Sequence, residues 1–231
     1  MSRTTSRISV VIPAWNASSF LAEAVASVQA QTVAPHEIVV VDDASTDDTF
    51  ARAVDLARHD PRIRVISQPN SGPGGARDRG IAESHGELIA MLDADDIWLP
   101  TKLERQRALL DVTGDVRQAV FTYGENFFDG VAPRGPLGPM AAYLPSALLA
   151  SRDVVLANGP FHASGQLADW VPWFLRLREA ATITVVEEVL VRRRVHADNF
   201  TTRQRDNRSA YAAHVGEALR RRRHQAAAAA G

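Results

Sequence analysis

Four short apolar runs near the start of the chain constrain its architecture more than any other feature: residues 8–12 (ISVVI, closed by Pro13), 37–41 (EIVVV), 63–66 (IRVI) and 88–92 (LIAML). Each is too short for a buried helix and nearly continuous in its apolar character, as expected of strands covered on both faces. The stretches between them carry helical spacing. Residues 17–30 place Phe20, Leu21, Ala24, Val25 and Val28 on one face, 48–58 follow a polar turn in which Ser45 and Thr46 are candidate caps, and 75–84 form a third helix. Repeated βα units imply right-handed crossovers and a parallel sheet. The expected fold is therefore α/β, with a Rossmann-like, mostly parallel central sheet flanked by helices.

The second half is less regular. Pro100 suits the first turn of a helix running to 110, and residues 130–145 are rich in Gly and Pro and read as a loop over a site. A strand is expected over 147–150, a helix over 169–178 with Pro172 in its first turn, and β structure over 183–191. A length of 231 residues suits one large domain. The expected division is a flexible N-terminus over 1–7, a domain over 8–202 with halves 8–112 and 113–202, and a helical tail over 203–231. With no cysteine, disulfides, thiolate nucleophiles and iron–sulfur sites are excluded, and a net charge of −1 gives no whole-molecule attraction for nucleic acid. The leading MSRTTSR lacks an apolar signal core and no apolar run approaches ~18 residues, which points to a cytoplasmic protein. Near the other end, Arg220 to Arg223 suit either peripheral contact with an anionic membrane face or a solvated helix end.

Chemistry concentrates where strands end. In LDADD, Asp93, Asp95 and Asp96 should emerge together at the carboxyl edge of the fourth strand, the edge at which open α/β sheets bind ligands. Asp93 and Asp95 lie about 7 Å apart along an extended chain, and hard oxygen ligands suit Mg²⁺ or Mn²⁺ and a diphosphate beside it. The competing reading is a solvated acidic turn that stops the strand. Trp15, after the first strand, can present an aromatic face to a flat base or simply pack its loop. Gly72, Gly74 and Gly75 precede a helix without the Gly-Lys-Ser/Thr ending of a P-loop. They let backbone approach a nucleotide, while Arg77 offers a planar donor fork to ribose or diphosphate.

Read in order, ISVVIPAWN (8–16), EIVVVDDASTDDT (37–49), NSGPGGARDRGI (70–81) and GELIAMLDADDIWLPTKLERQ (86–106) resemble the family-two GT-A glycosyltransferases over roughly half the chain. The resemblance implies a nucleotide-sugar donor, a divalent metal, a single GT-A domain and transfer with inversion at the sugar carbon. By position it puts Pro13, Trp15 and Asn16 against the nucleoside, with Trp where Tyr is usual. Asp43 matches the acceptor for the uracil ring, which points to a UDP-sugar, and Asp42 serves the turn or the ribose. Asp95 matches the main metal carboxylate and Asp93 holds metal and ribose. Asp78 stands where Asn is usual, which weakens any role there and leaves Arg77 untouched.

In QLADWVPWFLRL (166–177), Asp169 matches the general base, with Ala168 where a second acid is usual, and helix capping is the alternative for Asp169. Trp170 and Trp173 form an acceptor wall or core, Trp173 being assigned to core. In VRRRVHADNF (191–200), His196 matches a ligand of the metal or diphosphate and Arg194 a phosphate donor. The acceptor, whether glycan, lipid-linked, peptide or small molecule, would be set by residues 124–168, which match nothing firmly. Two rivals stay open: a nucleotidyltransferase, whose basic N-terminal loop is not visible, and a non-catalytic nucleotide-sugar-binding module, kept alive by Ala168.

Overall fold

A computed structural model describes residues 6–110, 117–133, 138–161, 169–197 and 199. The apolar runs form strands as expected: β1 (Ile8–Ala14), β2 (Glu37–Asp42), β3 (Ile63–Ser67) and β4 (Leu88–Met91). β1, β2 and β4 are buried along their whole length. They pair in parallel in the order β3-β2-β1-β4, with Val11 opposite both Val39 and Met91. The helices α1 (Leu21–Gln29), α2 (Thr49–His59) and α3 (Gly72–Glu83) connect them, and α1 buries Leu21, Ala24, Val25 and Val28.

α3 packs closely on this sheet because of one glycine. A methyl group at Gly80 would collide with Val11 and approach Val41, so the bare Cα lets the helix lie directly on β1 and β2.

Beyond β4 the sheet changes character. The two-residue strand β5 (Ile97–Trp98) leads into α4 (Lys102–Leu109), and β6 (Gln118–Phe128), β7 (Met140–Ala142) and β8 (Leu149–Ser151) follow. After α5 (Arg152–Ala157) and α6 (Trp170–Ala180) comes β9 (Thr182–Val195). β8 pairs antiparallel with β4 and β6, and the sheet continues β8-β6-β9-β5, with β7 pairing on β6. Several of these elements differ from the sequence reading. β6 was not expected, because its buried and half-buried positions do not alternate cleanly. The expected loop over 130–145 contains β7, and β5 exists through its pairing with β9. The tail from 203, with Arg220 to Arg223, lies outside the described residues. Among the described residues no helix is long and apolar enough to cross a membrane.

The chain divides into two compact units. The first comprises Met1–Phe127 and Pro133–Arg194 and contains the core; the second comprises Phe128–Ala132 and Val195–Gly231. Within the second, the Asp129 N–H donates to the Val195 carbonyl at 2.9 Å.

Glu37, buried at the start of β2, fastens the amino edge of the parallel sheet. Its carboxylate accepts from Ser9 Oγ at 2.7 Å, the His85 N–H at 2.5 Å and Arg64 at 2.9 Å. Burial alone would raise its pKa, but these donors outweigh it and hold the group at about 2 against an ordinary 4.5. A depressed pKa means stability present above pH 4.5 and lost as pH falls towards 2. Glu37→Gln should therefore cost up to about 3 kcal/mol at neutral pH, from 1.36 kcal/mol per unit, and the gap to the parent should close on acidification, as read from urea midpoints. A pH-independent gap would contradict this.

Candidate active site

β4 ends one residue before the sheet lets go, and the turn that follows separates its carboxylates by direction. Asp93 and Asp95 are half-buried, whereas Asp96 is 3% exposed. Asp96 does not emerge with the other two as the spacing suggested, because polar partners inside the protein draw it inward. Ser146 Oγ donates to its Oδ2 at 2.6 Å and the Arg194 N–H donates to its Oδ1 at 3.0 Å. Burial, followed by the charges of Asp95 and Asp93, pushes the Asp96 carboxyl well above the usual range. Ser146 also accepts from the Asp93 N–H at 3.1 Å, and its carbonyl accepts from Trp98 Nε1 at 2.7 Å. The acidic turn is thus tied to the 3-10 turn Pro145–Ala147.

Three carboxylates from distant segments meet the first turns of α3. Asp43, 2% exposed at the end of β2, accepts through Oδ1 from the Ser71 N–H at 2.9 Å, Ser71 Oγ at 3.2 Å and Gln68 Nε2 at 2.7 Å. Among the described residues its Oδ2 has no such donor. Asp93 pairs with Arg77 at 2.6 Å. Arg77 is buried, lies 5.8 Å from the Phe161 ring centroid and keeps an Nε with no hydrogen-bond partner among the described residues. Asp169, 6% exposed, lies against Gly74, where a methyl group would collide with its carboxylate. It occupies the N-cap position of α6 yet makes no side-chain capping bond, so capping does not account for it. Positions 74 and 77 are neighbours on one helix face. The helix N-terminus carries partial positive charge, which favours anions.

The remaining sequence candidates divide. Trp15 is 45% exposed, while Pro13 is buried within β1 opposite Val41. Asn16, at φ 49°, serves the loop: its Oδ1 accepts from the Thr46 N–H at 2.8 Å and its own N–H donates to Ser45 Oγ at 3.0 Å. Asp42 is buried, with an Oδ1 lacking a hydrogen-bond partner among the described residues. Arg194 is 7% exposed and its guanidinium is engaged: Nε donates to the Asp95 carbonyl at 3.0 Å, one terminal nitrogen pairs with Glu23, and Phe20 and Phe127 lie 5.0 and 4.6 Å from it. It clamps the acidic turn. His196 belongs to the second unit, where its N–H donates to Asn199 Oδ1 at 2.5 Å. Asp78 accepts the Phe161 N–H at 2.9 Å, which ties the segment after α5 to α3.

Asp93 and Asp95 fit a divalent cation in part. Both are half-buried hard oxygen donors at a sheet edge, and among the described residues no group of three His, Cys, Asp or Glu could hold an ion unaided. Next to Asp169, Trp170 stacks with Phe161, Trp173 and Phe174 and donates through Nε1 to the Tyr143 carbonyl at 2.8 Å. Trp173 is fully buried core, as expected, whereas Tyr143 is 45% exposed. Ser146 and Gly74 escaped the sequence reading as site residues, since only strand pairing brings the first to the acidic turn and only packing brings the second to Asp169.

Comparison with known proteins now decides the family, because the family model described as glycosyl transferase family 2 matches residues 9–160. The chain belongs to glycosyl transferase family 2. Succinoglycan biosynthesis protein ExoW of Rhizobium meliloti is 32% identical over 197 residues, covering 79% of this family 2 chain and 60% of that protein. An uncharacterized glycosyltransferase of Nostoc sp. is 46% identical over 43% of this chain and 31% of its own length. The chain thus spans less than two thirds of these relatives. Staphylococcus aureus TarS 1-349 superposes with a TM-score of 0.67 at 22% identity, covering 81% of this chain and 60% of that one, a likeness of fold. The family and the α/β GT-A fold are those expected from the motifs.

Ser146→Ala should strip a buried carboxyl of one donor and cost about 1–3 kcal/mol, measured by chemical denaturation. A loss below about 0.5 kcal/mol, the range of neutral surface changes, would show that Ser146 does not hold the turn.

Proposed function

We propose that this chain moves a sugar from a UDP-sugar to an acceptor nucleophile with inversion, assisted by Mn²⁺ or Mg²⁺. The observation that carries the reading is the convergence of Asp43, Asp93 and Asp169 on the first turns of α3. Three carboxylates at one helix end suit three tasks. Trp15 stacks on the base, and Asp43, held by Oδ1, uses Oδ2 to accept the uracil ring N–H. Arg77 keeps one donor on Asp93 and offers its Nε to ribose or diphosphate.

Asp93 and Asp95 would hold the cation, which when bound neutralises the leaving diphosphate. Arg194, engaged with the Asp95 carbonyl and Glu23, acts through the position of the turn. Asp169 accepts the acceptor's proton as the acceptor atom bonds to the sugar carbon, and the bond from that carbon to phosphate oxygen breaks with its electron pair on UDP. No covalent enzyme intermediate is required. Two similar proteins support the donor class: an Escherichia coli relative, 35% identical over 45% of this chain and 40% of its own length, is named UDP-Glc:alpha-D-GlcNAc-diphosphoundecaprenol beta-1,3-glucosyltransferase WfgD, and TarS 1-349 has been solved in complex with UDP and with UDP-GlcNAc.

Calorimetric titration tests the donor half. UDP-glucose or UDP-GlcNAc should bind more tightly with Mn²⁺ than with EDTA, and Asp95→Ala should abolish the difference in a folded protein. Equal affinity of the parent with and without metal would contradict the assignment. Asp43→Ala should reduce the preference for UDP over CDP and GDP by about 1–3 kcal/mol, the value of a lost buried hydrogen bond. A parent protein that binds all three equally would rule out Asp43 as the uracil acceptor.

A further inference from the structure

Gly74 sits where a glycine is hard to explain by backbone alone. It is buried in the first turn of α3, and its φ is not among the positive values found at Gly72, Gly130, Gly138 and Gly159. Alanine would be the better helix former there. The neighbouring Gly75 is a different case, since a methyl group on it would meet only Ser71, chiefly the movable Oγ. The three atoms nearest to a methyl group on Gly74 would be Oδ2, Cγ and Cβ of Asp169. Asp169 makes no capping bond with α6, so its own helix does not fix its carboxylate in that way. The surface it lies against belongs to another helix, three positions before the arginine that pairs with Asp93.

We infer that Gly74 is a positioning residue: its missing side chain forms the seat that sets where the Asp169 carboxylate lies relative to the donor carboxylates. The inference rests on the proposed role of Asp169 as base. Any side chain at 74 pushes the carboxylate off α3, and with it the proton-accepting oxygen, while Ser71, Arg77 and the donor contacts stay in place. A displacement of about 1 Å at a reacting group can cost 10²-fold in rate.

A four-member cycle of parent, Gly74→Ala, Asp169→Ala and the double variant tests this in the full chain. UDP release from UDP-glucose and UDP-GlcNAc gives turnover, calorimetry with UDP gives donor affinity, and thermal melting gives stability. Gly74→Ala alone should lower kcat at least tenfold, change UDP affinity less than twofold and lower the melting temperature. In the Asp169→Ala background it should leave turnover unchanged and lower the melting temperature by less than in the parent, because the colliding carboxylate is gone and only the Cβ of residue 169 stays close. A double variant that folds where Gly74→Ala does not would support the same seat. An equal thermal loss in both backgrounds, or a Gly74→Ala protein with parental turnover, would overturn it. A parent that releases no UDP from either sugar would count against the proposed UDP-sugar transfer instead, and the thermal cycle would still decide whether Asp169 sits on Gly74.

Discussion

The contact on which the rest of the site depends is the docking of three carboxylates against the first turns of α3. Ser71 holds Asp43, Gly74 receives Asp169 and Arg77 pairs with Asp93. These residues come from the end of β2, the start of α6 and the end of β4, so no local preference could assemble them. What makes the assembly possible is that α3 lies tightly on β1 and β2 through Gly80. A helix N-terminus with its partial positive charge then faces three negative groups. Spacing along the helix fixes their separation better than a loop would.

A second clamp holds the acidic turn from the opposite side. Asp96 faces the interior, where Ser146 and the Arg194 backbone bind it, and the Arg194 guanidinium reaches the Asp95 carbonyl. The cost of burying that carboxyl falls on a residue outside the proposed donor contacts, which leaves Asp93 and Asp95 half-open to solvent. Strain and desolvation at such sites are commonly offset by surrounding structure. Here the surrounding structure is antiparallel β8, β9 and the 3-10 turn, added to a parallel sheet that ends at β4.

The parallel half was legible because each strand is a short apolar run and each helix shows its spacing. Asp93 and Asp95 were legible for the same reason, since a carboxylate that ends a buried strand has one edge to emerge from, whereas Asp43 was marked out by the family resemblance. Asp96 was misjudged because alternation along an extended chain says nothing about a turn, and the groups that draw it inward lie far along the sequence. β6 lacks a clean period, and β5 is defined by its partner β9. Arg194 read as a free phosphate donor, but its partners Glu23, Phe20 and Phe127 come from elements that sequence spacing cannot place beside it. The burial of Trp173 was foreseen.

The account separates donor carboxylates from the carboxylate that takes a proton, and one measurement tests that division most directly. Asp169→Asn keeps the size of the side chain and changes its chemistry, so single-turnover transfer at saturating UDP-sugar, normalised to folded protein, isolates the base. The account predicts donor affinity within about twofold of the parent and a rate lowered by ~10² or more, the usual contribution of a general base. A rate above about a tenth of the parental value, with donor affinity intact, would contradict it.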